Sequence, residues 1–358
     1  MKTKKQIALI IPSFTAGGAE RVMATLANRF QEFPDLQVHL IILTGGERYY
    51  ELHQDIKVYQ PSFDYKQLSR FAFTVKILLF LRRTLKQIQP YASLSFGGKY
   101  NAFVLLGSMG LGIKTFISER SRPGISYGRF LNSINPSVYR LAAGIIAQTE
   151  KAQQYLYQKT KHKTIKVIGN PVKEFSFPNT AKKKVILNVG RFIPSKHQDW
   201  LIDYFNAIDT DDWSLWFLGD GPLLDSVIQK AQESPKKEQI CFFGNQKQVE
   251  KYYAEASIFA FTSTSEGFPN VLGEALRGGC ACISFDCEAG PSDLISDGEN
   301  GILVPNGQHE DYISKLKKLI ADSEWRASLA NAGVESVKSF NEEKITHDFM
   351  AFINENSN

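Results

Sequence analysis

SIFAFTSTSEGFPNVLGEALRGGCACISFD, residues 257–286, decides the fold of this chain. It opens with SIFAFT (257–262) and closes with ACISFD (281–286), two continuous apolar runs of strand length. A continuous run, as opposed to an alternating one, marks a strand covered on both faces. Between them Pro269 suits the first turn of a helix, where its missing N–H costs nothing, and Gly278-Gly279 ends that helix. Strand, helix and strand in this order make a parallel crossover unit.

The same rhythm extends to both ends. Upstream in the second half lie VILNVG (185–190), SLWFLG (214–219) and QICFFG (239–244), and downstream GILVP (301–305). The first half repeats it with IALIIPSF (7–14), VHLIILT (38–44), IKVYQ (56–60), ASLSF (92–96), KTFISE (114–119), GIIAQT (144–149) and TIKVIG (164–169). Helical segments such as Ala19–Gln31 and Gln67–Gln89 fall between them. The expected class is α/β, with two Rossmann-like doubly wound domains. A chain of 358 residues is long enough for two cores.

The break falls in NPVKEFSFPNTAKKK (170–184), which has two prolines and a lysine run. The expected domains are 1–172, 173–340, and a final helical piece over 341–358. Charge divides the same way. Residues 1–180 carry 25 Lys/Arg against 10 Asp/Glu, while residues 181–358 carry 17 against 27. The basic half should attract an anionic surface or acceptor.

Ligands of doubly wound sheets bind at the carboxyl ends of strands. Three elements stand there. The first is Glu266-Gly267-Phe268-Pro269-Asn270-Val271-Leu272-Gly273-Glu274, where a helix start offers free N–H groups to a phosphate and two carboxylates eight apart suit hydroxyl pairs. The second is Gly190-Arg191-Phe192 with Lys196, two cations able to neutralise a diphosphate leaving group. The third is Gly17-Gly18-Ala19-Glu20-Arg21, whose glycines open a helix. Each taken alone also reads as an ordinary loop. Neither G-x-G-x-x-G nor G-x-x-x-x-G-K-[ST] occurs, which argues against a dinucleotide oxidoreductase or a P-loop enzyme.

GGAERV (17–22), GRF with Lys196 (190–196), GDGP (219–222), the Glu266/Glu274 pair and GENGILVP (298–305) together resemble a family 4 glycosyltransferase of the GT-B fold, the type that builds bacterial polysaccharide and lipid-linked glycans. The resemblance implies two facing domains, an acceptor domain followed by a donor domain, and a C-terminal crossover helix. It implies transfer from a nucleotide sugar, UDP first, with retention of configuration and with no metal or other cofactor. Arg191, Lys196 and Glu266 are then the catalytic set, the cations on the diphosphate and Glu266 on a sugar hydroxyl. Glu274 would hold the ribose, and Gly190, Gly267, Phe268, Pro269, Asn270, Val271 and Leu272 would line the donor. Phe243 and Gly244 would receive the base, and Gly17 and Gly18 would close over the diphosphate. Many relatives place a His after the fifth strand. Here Ser118-Glu119-Arg120 stands instead, so Glu119 or Arg120 is expected to face the sugar or acceptor.

Residues 66–90, KQLSRFAFTVKILLFLRRTLKQIQP, hold Lys66, Arg70, Lys76, Arg82, Arg83 and Lys86 and no acidic residue. They read either as a crossover helix or as a basic amphipathic helix on an anionic membrane. No aromatic–basic recognition module is present, so nucleic acid is not an expected partner. The basic start MKTKKQ superficially resembles a signal peptide, but the apolar run after it is only about seven residues and lacks a cleavage site. The expected location is the cytoplasm, peripheral on the inner face of its membrane. Cys241, Cys280, Cys282 and Cys287 read as buried free thiols, and Asp209-Thr210-Asp211-Asp212 as a solvated loop at the wrong end of its sheet for a ligand. The expected activity is glycosyl transfer to a glycan hydroxyl. Transfer to a soluble acceptor, or nucleotide-sugar binding without catalysis, are the alternatives.

Overall fold

The computed structural model describes residues 4–62, 69–178, 180–210 and 212–357. The chain divides into two compact units, Met1–Pro171 with Glu342–Asn358, and Val172–Asn341.

The first unit runs β1 (Lys5–Ile11), α1 (Gly18–Gln31), β2 (Leu36–Ile42), β3 (Lys57–Tyr59), α2 (Arg70–Ile88), β4 (Ala92–Phe96), α3 (Gly98–Ser108), β5 (Lys114–Ser118), α4 (Arg129–Val138), β6 (Gly144–Ala147), α5 (Glu150–Thr160) and β7 (Ile165–Val167). Its strands pair in parallel in the order β3-β2-β1-β4-β5-β6-β7. Ile7 to Ile10 of β1 are fully buried, as their continuous apolar run requires. Helix α1 covers the sheet with Val22, Met23, Leu26, Ala27 and Phe30, one stripe at helical spacing. Ser69 caps α2 by accepting from the Ala72 N–H at 3.3 Å, and Thr149 caps α5 from the Ala152 N–H at 3.1 Å.

The second unit runs β8 (Lys183–Val189), α6 (Gln198–Ala207), β9 (Ser214–Leu218), α7 (Leu224–Gln232), β10 (Ile240–Phe242), α8 (Glu250–Glu255), β11 (Ala256–Phe261), α9 (Asn270–Arg277), β12 (Ala281–Asp286), α10 (Pro291–Leu294), β13 (Ile302–Pro305), α11 (His309–Ala321) and α12 (Ser323–Ser336). Its parallel sheet has the order β10-β9-β8-β11-β12-β13. The chain winds outward from β8 to β10, then returns to the other side of β8 with β11. The order therefore reverses between β8 and β11, and that is where a doubly wound sheet opens a crevice at its carboxyl end.

The last helix, α13 (Glu342–Glu355), packs on the first unit. Phe349 lies 6.2 Å from Phe96 and Phe352 lies 5.7 Å from Phe116, ring to ring. Arg29 binds Glu342 at 3.1 Å. Each buried phenylalanine contributes roughly 1.5–3 kcal/mol by leaving water, so aromatic burial holds the crossover helix more firmly than the ion pair does. No helix among the described residues is long and apolar enough to cross a membrane.

Helix α2 satisfies the crossover reading on one face and leaves another stripe over. Ile77, Leu81, Leu85 and Ile88 are buried against Ala8, Ile10, Ile41 and Val104. Phe71, Val75 and Leu79, four apart, stay 79%, 39% and 49% exposed. Arg82 is not part of a free basic face, because it donates to the carbonyls of Gly107 and Met109. Lys66 and the side chain of Arg70 lie outside the described residues.

Candidate functional site

Three loops leave the carboxyl ends of β8, β9 and β10 and are laced to one another by their backbones. Gly190 donates to the Leu218 carbonyl at 3.0 Å, Phe192 to Asp220 at 2.9 Å, and Gly219 to Gly244 at 2.9 Å. Gly219 has φ +135°, and a Cβ there would stand 2.0 Å from the Gly190 carbonyl oxygen. Only glycine lets the two loops approach this closely. The lacing sets Gly190 and Arg191 against GDGP and against Phe243-Gly244. Phe243 packs edge-on against Trp216 at 5.2 Å and lies 5.0 Å from Tyr252. Arg191 is exposed, and its carbonyl accepts from Gln198.

The loop after β8 is also fastened to the loop after β11. The Thr262 hydroxyl lies 2.8 Å from the Lys196 carbonyl and 3.0 Å from that of His197, and the Thr264 N–H donates to Ser195 at 2.9 Å. His197 adopts a left-handed conformation, φ 48°, and its ring stacks on Trp200 at 3.7 Å. That histidine sets the turn that follows Lys196. With both loops held, the Lys196 ammonium donates to the Glu266 carboxylate, their side chains only 17% and 11% exposed. The ammonium also lies 5.0 Å from the Phe261 ring centroid. Burial first, and then the Glu266 carboxylate, push the neighbouring Cys287 thiol up to about 12, so this cysteine is an inert core thiol.

Helix α9 begins at Asn270. Pro269 is its N-cap and not a first-turn residue, one position short of expectation, and no side chain caps the start. The Asn270 N–H donates to the Phe268 carbonyl at 3.0 Å and the Leu272 N–H to the Pro269 carbonyl at 2.9 Å. Gly267 and Val271 are half-buried, and Phe268 and Leu272 face the core with Phe340 and Leu276. Glu274 does not reach toward solvent. It is 2% exposed, and Tyr253 donates to its Oε2 at 3.1 Å. The structure thus joins Lys196 with Glu266 directly, and sets Glu274 inside α9, buried against Tyr253.

The first unit presents its own cluster at the ends of β1, β4 and β5. Gly17 is the N-cap of α1, but its N–H donates to the Tyr50 hydroxyl at 3.2 Å and its carbonyl accepts from that hydroxyl at 2.9 Å. Gly18 opens the helix, and Ser13 holds the Glu20 carboxylate against this start. Glu119 accepts from Tyr127 at 2.6 Å and lies 3.2 Å from the Tyr139 hydroxyl. Burial raises its pKa above the ordinary 4.5, against the pull of these hydroxyls. Gly98 makes room for this group, since a Cβ there would meet Glu119 and Tyr127 oxygens at 2.2 and 2.1 Å. Arg120 turns away, 4.1 Å from the Phe96 ring centroid and bonded to Asn170 and Ser118.

Thr262, Thr264, Trp200, Tyr253, Tyr127 and Tyr139 had no motif to announce them. Only Thr262 and Thr264 carried a signal, by standing just past a strand end. The 209–212 segment precedes β9, as expected, yet Thr210 is buried and bonded by Lys236 at 2.9 Å, while Asp212 pairs with Lys184. Asp211 lies outside the described residues.

Residues 171–336 match the family model of glycosyl transferases group 1. The chain is 25% identical to the amylovoran biosynthesis glycosyltransferase AmsD of Erwinia amylovora, over 98% of this chain and 99% of that one. It is 27% identical, over 99% of both chains, to a Campylobacter jejuni alpha-1,4-N-acetyl-D-galactosaminyltransferase acting on GalNAc-alpha-(1->4)-GalNAc-alpha-(1->3)-diNAcBac-PP-undecaprenol. The structure of Anabaena HepE in complex with UDP superposes with TM-score 0.79 at 17% identity, over 98% of this chain and 100% of that one. The protein has the GT-B fold, and its second unit is similar to the group 1 glycosyl transferases.

Proposed function

We propose that the protein moves a hexose or N-acetylhexosamine from a nucleotide diphosphate sugar, UDP-linked first, to a hydroxyl of a lipid-linked or lipopolysaccharide or capsule glycan precursor, with retention of configuration. The observation that carries this is the Lys196–Glu266 pair, fixed at the switch point between β8 and β11. Lys196 has three N–H donors and Glu266 takes one, so others remain for a phosphate oxygen. Arg191 adds a second cation, and the N-terminal end of α9 adds the partial positive charge of its dipole. Negative charge grows on the diphosphate as the anomeric C–O bond stretches, and a field built in advance lowers that barrier. In this role Glu266 holds a sugar hydroxyl, and Glu274 exchanges part of its burial for the ribose hydroxyls. These cations supply the charge that a metal would otherwise bring, so turnover is expected to survive EDTA.

The acceptor class is supported by the activity for which the Campylobacter relative is named and by the basic first half of the chain. The exposed stripe of α2, flanked by exposed Lys76, Arg83 and Lys86, supports a peripheral position on an anionic membrane at its cytoplasmic face. A binding protein without catalysis would leave the donor intact.

The test is a thermal-shift panel of nucleotides and nucleotide sugars, followed by turnover on the stabilising donor. UDP-sugars should raise Tm, Arg191→Ala should remove the rise, and free UDP should appear only with a glycan acceptor present. NMR of the product should show the donor's anomeric configuration. Equal Tm with every nucleotide sinks the proposal.

A further inference from the structure

The first unit contains a cavity of about 220 Å³ behind Glu119, between the loop after β5, α4 and α5. Its inner wall carries Asn135, which is 7% exposed and whose Oδ1 is buried without a hydrogen-bond partner. A buried acceptor left unsatisfied is destabilising, so its persistence in a cavity wall points to a donor that arrives with a ligand. Beside it stands the Glu119 carboxyl, already engaged by Tyr127, Tyr139 and the backbone N–H groups of Arg120 and Ser121. Tyr127 and Tyr155 supply flat apolar walls. At the mouth Arg122 and Lys159 are exposed, and Lys159 sits 5.7 Å from the Tyr155 ring centroid. Glu119 is the only acidic residue among the described lining.

These features select a ligand class. The volume lies below the roughly 300–1,000 Å³ of drug-sized pockets, which suits one sugar ring and not two. A ring hydroxyl supplies a donor for Asn135, and the C–H face of a pyranose packs on tyrosine. Two cations at the mouth then meet an anionic substituent at the ring's edge. We propose that this cavity is a second ligand site, binding a single pyranose that carries a phosphate, through Asn135, Tyr155 and Lys159. It rests on the first unit alone and does not depend on donor binding by the second.

Isothermal titration of the full chain with glucose 1-phosphate, galactose 1-phosphate and their N-acetylamino counterparts tests this, with inorganic phosphate and methyl glucoside as partial ligands. At least one glycosyl phosphate should bind saturably and more than tenfold tighter than either partial ligand. Lys159→Glu, at an exposed position, should weaken it at least tenfold, as should Asn135→Leu. Arg191→Ala should abolish UDP binding and leave this binding unchanged, which separates failure here from failure of the donor site. If the ligand raises the acceptor KM in turnover, the site holds the sugar phosphate end of the acceptor. If it changes kcat alone, the site holds a free metabolite. No saturable binding, or equal binding in both cavity variants, overturns the proposal.

Discussion

The Lys196 ammonium rests on the Glu266 carboxylate although 70 positions separate them in the chain. Two threonines, Thr262 and Thr264, bring their loops together through backbone carbonyls. Removing either charge leaves the other mostly buried and unpaired, a change that is strongly destabilising in fully buried pairs. Lys196→Ala should lower stability by about 1–3 kcal/mol and turnover at least a hundredfold. The double variant Lys196→Met with Glu266→Gln should recover most of the stability and none of the turnover. Urea unfolding and initial rates measure both, and recovered turnover would show the pair to be only a structural tie.

Gly219 is the second check. Its φ of +135° and the 2.0 Å approach to the Gly190 carbonyl leave no room for a methyl group. Gly219→Ala should therefore part the loops that carry Arg191 and Phe243. The expected loss is on the order of 1–3 kcal/mol for the strained backbone, with nucleotide-induced Tm shifts reduced by more than half. An unchanged shift at reduced stability would place the nucleotide elsewhere.

His39 gives stability a pH dependence. Its ring is 3% exposed, bonded to Gln6 at 2.6 Å and to Tyr59 at 3.2 Å. Burial first, and then the charge of Lys57, lower its pKa from 6.5 to about 4. The unfolded chain therefore takes up a proton below 6.5 that the native protein refuses until about 4. Stability from this residue is complete above pH 6.5 and falls as the pH drops toward 4. At about 1.4 kcal/mol per pH unit, the loss between pH 7 and 5 is at most on the order of 2 kcal/mol. Chemical denaturation at the two pH values, in wild type and His39→Gln, should show a smaller difference in the variant.

Glu119 acts with the opposite sign. Its pKa is raised, so the native protein holds a proton that the unfolded chain releases, and stability falls as pH rises above 4.5. Tyr127, Tyr139 and Arg120 are the titratable groups around it. Glu119→Gln keeps an acceptor for Tyr127 and removes the charge. Its Tm at pH 7.5 should equal or exceed that of wild type, and its slope against pH between 5 and 7 should be flatter. A lower Tm with an unchanged slope contradicts this account.

Phe71, Val75 and Leu79 should matter for membranes and not for folding, because all three point away from the core. Phe71→Ser with Leu79→Ser should leave Tm within about 1 °C, since surface changes usually alter stability by less than ~0.5 kcal/mol. The double variant should reduce sedimentation with phosphatidylglycerol vesicles at least fivefold. Wild type that stays in the supernatant at low salt removes the membrane assignment.

The sequence by itself determined the parallel strands. ASLSF at 92–96 and ACISFD at 281–286 became β4 and β12 residue for residue, and the other runs shifted by one to three residues at their ends. Strand burial on both faces leaves a continuous apolar signature, and glycine at a strand end marks a turn, so both are local facts of composition. It also supplied the positions of Arg191, Lys196 and Glu266, because carboxyl ends of strands can be counted along the chain. Only the tertiary structure decided that Lys196 pairs with Glu266, that Glu274 lies against Tyr253, and that Glu119 sits under two tyrosines. Those contacts join residues from different strand ends, and the energy of a buried polar group depends on the partner folding brings to it, which no local pattern encodes.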